Sequence, residues 1–190
     1  MTSSSDSRTG VAAILAGALI FAGQAGDLAF GSEPADLNLW PLLWALGVAA
    51  LVVAIWRLGR LVSTKLGRIG WRVCVAGTVF LGLFAVQALV TVALTGDIPG
   101  NWVLFALGFL LLFAGHLLIA PGLRDTLGRA WVLPLVGAAG ILVAITLNDE
   151  PIDLIHDIGL FVFEGAWVAL GVALLRAERR NQPDTASALV

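Results

Sequence analysis

The chain has 190 residues, of which 59% are hydrophobic and 13% are charged, and its mean hydropathy is +0.95. Soluble domains carry about 25% charged residues, so this composition excludes an ordinary soluble protein and indicates an integral membrane protein. The formal net charge is −2, and the one cysteine, Cys74, excludes an intramolecular disulfide. We expect membrane lipids as partners and no nucleic acid.

Six apolar runs approach the ~20 residues that a helix needs to cross a hydrocarbon layer of ~30 Å. They cover residues 11–31, 38–56, 73–95, 101–120, 130–147 and 152–175. Short connections make sequential helices antiparallel neighbours. The sequence therefore predicts an all-α integral membrane protein, a six-transmembrane-helix bundle in one domain (residues 11–176), between tails at 1–10 and 177–190.

The first apolar run has two interpretations. The N-terminal stretch, with small residues at 22–26, fits a secretory signal peptide and its cleavage region. However, Asp6 offsets Arg8, the only basic residue before the run, and the run is longer than a usual signal core. We favour a retained first helix, and cleavage leaves the other spans in the same orientation.

The arginine and lysine residues lie on one side of this predicted topology. All eleven fall in the two tails, the 2–3 connection or the 4–5 connection: Arg8, Arg57, Arg60, Lys65, Arg68, Arg72, Arg124, Arg129, Arg176, Arg179 and Arg180. Tryptophans at the span ends fit an aromatic belt: Trp40 and Trp102 outside, and Trp56, Trp71 and Trp131 inside. The positive-inside rule predicts an N-in/C-in protein with both termini cytoplasmic, and the preference for arginine over lysine favours a bacterial inner membrane.

Two hairpins of the chain share short motifs. LxALG occurs at 43–47 and 104–108, and LGR occurs at 66–68 and 127–129. This spacing is consistent with a duplicated helical hairpin, spans 2–3 and 4–5. Chance recurrence in an apolar background is the alternative, because ALG also occurs at 169–171.

Polar residues inside the apolar runs mark the candidate sites, because an ionisable group at mid-membrane costs a few kcal/mol. We predict an outward-facing polar cavity with these ligand-binding residues: Gln24, Asp27, Gln87, Thr91, His156, Asp157 and Glu164. The acids from Asp27 to Asp157 form a solvated rim in this interpretation, and we expect no metal site.

Glu164 and His116 are the candidates for chemistry at greater depth. At 1.5 Å per residue, Glu164 lies about 18 Å into span 6 and His116 about 22 Å into span 4. The similar depths predict a pair if the two spans are in contact. Phe105, Phe109 and Phe113 share the helix face of His116, which predicts an aromatic cavity wall.

The helical wheel divides span 6 into two faces. Asp153, Asp157 and Glu164 fall within about 40° of one another, which predicts an acidic stripe towards a cavity. Gly165, Ala169 and Ala173 form a separate ridge of small residues, which predicts close packing against a neighbouring helix or a partner, including a second copy.

Each polar residue also has a structural alternative. Gln24 and Gln87 are suited to hydrogen bonds between helices, and His116 to a bond with a backbone carbonyl group. Asp157 is also suited to the first turn of a helix, where the helix dipole favours an acid. Glu164 has no such local partner in the sequence.

Several kinds of chemistry are excluded. No lysine lies within a span, which excludes a retinal Schiff base, and the two histidines lie at different depths, which argues against bis-histidine haem ligation. GxSxG, HExxH, Walker A and CxxC motifs are absent. We therefore expect no cofactor.

Three functions remain. The first is binding of a small or lipidic ligand in the polar cavity, with proton coupling at Glu164. The second is a membrane enzyme that acts on a lipid or isoprenoid, with Glu164 as general acid. The third is a structural or accessory subunit without catalysis, so the sequence leaves open whether the chain is an enzyme.

Overall fold

The computed structural model describes residues 3–30, 39–95, 102–146 and 153–181, and this part of the chain is helical apart from short turns. The long helices are α1 (Ser3–Phe30), α2 (Leu39–Leu58), α3 (Lys65–Thr95) and α4 (Val103–Ile119). A single-turn α5 (Arg124–Leu127) lies between two 3₁₀ helices (Ala120–Leu123 and Gly128–Val132), and α6 (Leu133–Thr146) and α7 (Asp153–Asn181) follow.

Within the described residues, five helical segments are long and apolar enough to cross a membrane. They are Ser7–Gly26, Pro41–Leu58, Lys65–Thr95, Val103–Thr146 and Ile155–Arg180. The fourth has 44 residues and contains both α4 and α6. Their outer faces are apolar: on α3, for example, Val79, Leu83 and Val86 are all exposed. A water-soluble protein rarely exposes such a continuous surface, so these helices indicate a membrane protein.

The long helices form a closed ring. Each packs against the next one along the chain, α4 packs against α6, and α7 returns to α1. The contacts run antiparallel: on α1, Gly10 meets Leu175 and Gly17 meets Val168. One end of the bundle carries all eleven basic residues and is called the arginine end. At the opposite end, called the cleft end, α1, α3 and α6 finish and α2, α4 and α7 begin.

Two helix pairs approach through glycine. A Cβ atom on Gly17 would overlap the carbonyl oxygen of Glu164, so α1 lies directly against the α7 backbone. On α6, a Cβ atom on Gly140 would stand 2.7 Å from the backbone nitrogen of Phe163. Small residues thus allow close backbone contact, as is common between membrane helices.

The predicted ridge on α7 does not make these contacts. Gly165 is exposed, and a Cβ atom added there would meet no atom of the chain within 4 Å. The close contacts instead use Gly159 towards α6 and Gly171 towards α1. The helical wheel gives the angles between side chains but not which face turns towards the rest of the chain.

The start of α3 also differs from the predicted boundary at residue 73. The helix begins at Lys65, because Thr64 caps it: the Gly67 N–H donates to Thr64 Oγ1 at 3.0 Å. Such a cap satisfies a backbone donor that the first turn leaves unpaired. LGR at 66–68 therefore lies in the first turn of α3, whereas LGR at 127–129 spans the junction of α5 and a 3₁₀ helix. The duplication stays a prediction.

Candidate ligand-binding cleft

Glu164 is the central polar group of the bundle interior. It lies on α7, and only 1% of its surface is exposed. Its Oε2 atom has no hydrogen-bond partner in the described part of the chain. Burying a carboxyl oxygen without a partner costs several kcal/mol, so the Glu164 carboxyl should destabilise the folded state.

A small cavity lies beside this carboxyl group. Its volume is about 20 Å³, enough for one water molecule. Apart from Glu164 and Gln24 its lining is apolar or aromatic: Ile20, Trp44, Val48, Leu51, Leu81, Phe105, Phe109, Leu160 and Phe163. Of the predicted aromatic wall, Phe105 and Phe109 line this cavity, whereas Phe113 does not.

A larger cleft lies next to the cavity, towards the cleft end. It has a volume of about 240 Å³ and is lined by Gly23, Gln24, Pro41, Trp44, Phe84, Ala88, Val92, Trp102, Phe105, His156, Asp157 and Leu160. Gln24, Trp44, Phe105 and Leu160 line both spaces. The cavity with Glu164 therefore adjoins the inner side of the cleft.

Aromatic rings from three helices line this cleft in mutual contact. Phe84 of α3 lies with its ring centroid 5.8 Å from that of Trp44, 5.5 Å from Trp102 and 5.2 Å from Phe105. Phe105 continues to Phe109 at 4.7 Å, and Phe109 to Phe163 at 5.9 Å. From the sequence we predicted Trp102 only as a residue of the aromatic belt and made no prediction for Trp44 or Phe84. Aromatic residues at similar depth in spans 2, 3 and 4 were the signal available.

The polar side of the cleft joins α1, α6 and α7. Gln24 Nε2 donates to Asp157 Oδ1 at 3.1 Å, and His156 Nδ1 donates to the Ala144 carbonyl oxygen at 2.7 Å. Asp157 and Glu164 lie two turns apart on α7, on one face of the helix. The structure therefore brings four predicted residues together: Gln24, His156, Asp157 and Glu164.

His116 is not part of this group. Its Nδ1 donates to the carbonyl oxygen of Leu112, one turn earlier on α4, at 2.6 Å. Its ring packs against Phe163 at 5.9 Å and Trp167 at 5.5 Å, and it does not line the cavity. The structure thus does not form the expected Glu164–His116 pair, because the α7 side chains that meet the imidazole are Phe163 and Trp167.

Three other predicted residues lie away from the cleft or outside the description. Gln87 and Thr91 are half-buried on α3, but the cleft uses the neighbouring face with Phe84, Ala88 and Val92. Asp27 belongs to α1, but its side chain lies outside the described residues.

The charge around the cleft is one-sided. Among the described residues that line the cavity and the cleft, Asp157 and Glu164 are acids, His156 is the one other titratable group, and none is arginine or lysine. The described part of the chain also contains no group of three or more His, Cys, Asp or Glu residues arranged to hold a metal ion. The arrangement is suited to holding an apolar or cationic group beside a buried carboxyl.

Comparison of the chain with protein-family models, with curated proteins and with solved structures finds no match.

Proposed function

We propose that the chain is a membrane protein that binds a small or lipidic ligand in the cleft and couples binding to a proton on Glu164. The observation that carries this proposal is the Glu164 carboxyl group, which is 1% exposed and has an oxygen without a partner in the described part of the chain, beside a cavity that shares four lining residues with the cleft. Ionisable groups kept inside membrane proteins mark ligand and proton pathways.

Proton coupling follows from the cost of charge in this environment. We expect Glu164 to carry a proton before a ligand binds, because a buried carboxyl is more stable neutral than charged. A ligand that stabilises the carboxylate releases that proton to solvent, and a ligand with one positive charge leaves the total charge of the site unchanged. Of the other lining groups that titrate, Asp157 lies two turns away and His156 already donates to Ala144.

The ligand itself can be tested with native mass spectrometry of protein extracted from its own membrane. Ala88 lines the cleft and is 9% exposed, so Ala88→Trp fills the space. We expect the wild-type chain to carry a bound small molecule or lipid that Ala88→Trp loses. Ala93→Trp, the same change on the exposed surface of α3, is the matched control. Equal occupancy in all three proteins would contradict the proposal.

Coupling has a separate readout. Ligand binding in weakly buffered solution should release protons from the wild-type chain, and Glu164→Gln should abolish the release. Glu178→Gln makes the same change on α7 near the arginine end and should leave it intact. Unchanged proton release from Glu164→Gln would rule out this carboxyl as the coupling group.

We also propose six crossings of a bacterial inner membrane, with both termini in the cytoplasm and the cleft on the outer side. All eleven basic residues lie at the arginine end, which supports that orientation. With the 3₁₀ helix before it, α6 gives a helical stretch from Gly128 to Thr146 of about 31 Å, long enough for the fifth crossing.

This topology can be tested by cysteine labelling in intact cells, in a Cys74→Ala background. Ser63→Cys is exposed at the arginine end and Thr95→Cys at the cleft end. A membrane-impermeant maleimide should label Thr95→Cys directly and Ser63→Cys only after permeabilisation. The reverse pattern, or labelling of both from outside, would contradict the orientation.

A further inference from the structure

We infer that the ligand of this cleft is an amphiphilic organic cation, a quaternary or protonated amine carried on an apolar group. This inference rests on the proposed function, because it names the chemical class of ligand for the same cleft. It depends on charge, aromatic lining and size together.

The charge of the site favours a cation. The described lining holds two acids and no arginine or lysine, and all the basic residues lie at the far end of the bundle. A cleft lined by one sign of charge with apolar walls concentrates the field and attracts the opposite charge. An anionic ligand would meet Asp157 at the wall of the cleft and Glu164 further in, with no cationic side chain to balance it.

The aromatic lining favours an organic cation over a metal ion. Trp44, Phe84, Trp102 and Phe105 supply four rings to the walls of one space. Aromatic faces attract ammonium groups, tryptophan most strongly, and such cages are the usual site of quaternary ammonium ligands. Metal ions instead need several oxygen, nitrogen or sulfur ligands at short distance, which this lining does not offer.

The sizes of the two spaces suggest that an entering ligand meets Asp157 in the cleft first and Glu164 beside the inner cavity second. The cleft of about 240 Å³ is large enough for an ammonium group with a short apolar substituent, and Asp157 lies in its wall. The inner cavity of about 20 Å³ has room for one water beside Glu164. The cation therefore rests against Asp157 and the rings, and one water bridges it to Glu164, which exchanges its proton as the cation arrives.

The test compares three ligands of the same shape by isothermal titration calorimetry. Benzyltrimethylammonium is the cation, neopentylbenzene is its uncharged carbon isostere, and benzylsulfonate is an anion. Dodecyl maltoside micelles are the suitable medium, because this detergent carries no ammonium group. We expect the cation to bind at least about tenfold more tightly than the isostere. Its affinity should fall as the pH falls, because protonated carboxyls lose the attraction, whereas the isostere should not respond.

Four variants test whether the preference for the cation arises in the cleft. Glu164→Gln and Trp44→Leu should each weaken the cation by about tenfold and leave the isostere's affinity within about twofold. Glu178→Gln and Trp56→Leu are the controls, since Glu178 lies near the arginine end of α7 and Trp56 is exposed on α2. Identical elution in size-exclusion chromatography shows that the isosteric Glu164→Gln chain is folded.

The two proposals fail separately. Equal affinity for cation and isostere, tighter binding of the sulfonate, or no response to Glu164→Gln overturns the cation inference. No binding of benzyltrimethylammonium also overturns it, even if Ala88→Trp displaces a co-purified ligand and so upholds the cleft. Failure of Ala88→Trp to displace anything overturns the proposed function itself.

Discussion

Gln24 and Asp157 are 133 residues apart in the chain, and the amide of one donates to the carboxylate of the other at 3.1 Å. The bond joins α1 to α7 at the wall of the cleft, above the cavity that contains Glu164. It fulfils the structural alternative for Gln24, a hydrogen bond between helices.

This bond should be measurable as a coupling energy. Gln24→Leu and Asp157→Leu should each destabilise the folded state in micelles, and their effects should be non-additive by about 0.6 kcal/mol, typical of membrane hydrogen bonds. Thermal unfolding of the two single variants and the double variant gives the coupling. Gln24→Leu combined with Thr126→Val, at the opposite end of the bundle, is the additive control. Additivity in the first pair would show that the bond contributes no stability.

The sequence predicted the helices and the polar end of the bundle for a simple physical reason. An apolar run long enough to cross a membrane predicts a helix, and the depth of each residue follows from its position along that helix. Depth grouped Gln24, His156 and Asp157, which line the cleft, but it also placed Gln87 and Thr91 with them, and these two do not line it. Their role in binding a ligand stays a prediction.

Contacts between helices could not be predicted in the same way. Glu164 and His116 were matched in depth, yet their pairing needed α4 and α7 to be neighbours with both side chains turned to each other. Side chains of the two helices do meet, but a rotation of 100° between Phe163 and Glu164 on α7 puts Phe163 against the imidazole. Trp44 and Phe84 were missed because their proximity is also a property of the assembled ring.

His116 should be dispensable for ligand binding. Its Nδ1 donates to the Leu112 carbonyl oxygen of its own helix, and its ring packs against Phe163 and Trp167. His116→Phe keeps an aromatic ring there, so we expect benzyltrimethylammonium affinity within about twofold of wild type. Titration calorimetry beside Glu164→Gln measures this. If His116→Phe lowered the affinity as much as Glu164→Gln does, His116 would belong to the binding site, and the enzyme hypothesis would be favoured.

The buried carboxyl group of Glu164 should lower the stability of the folded chain. Glu164→Met replaces the buried carboxyl with an apolar chain of similar length and removes an unpartnered oxygen, so it should stabilise the fold by about 1 kcal/mol or more. Thermal unfolding in micelles at neutral pH measures the change, and calorimetry on the same sample should show that cation binding is lost. A destabilised Glu164→Met chain would mean that the carboxyl is satisfied within the fold, which would support a structural role.

Two glycines, one on α1 and one on α7, offer a matched comparison of packing. A Cβ atom on Gly17 would overlap the Glu164 carbonyl oxygen, whereas one on Gly165 would meet no atom of the chain within 4 Å. Gly17→Ala must push α1 away from α7 and should cost about 2 kcal/mol or more, whereas Gly165→Ala gains helix propensity and should stabilise the fold by up to about 1 kcal/mol.

Unfolding midpoints and cation titration on both variants check this comparison. Because Gly17 touches the backbone of Glu164 itself, Gly17→Ala should also weaken benzyltrimethylammonium binding, and Gly165→Ala should not. If Gly165→Ala is the damaging change, the small-residue ridge on α7 packs against a partner or a second copy. Size-exclusion chromatography with light scattering on the two variants would then show a change in assembly for Gly165→Ala alone.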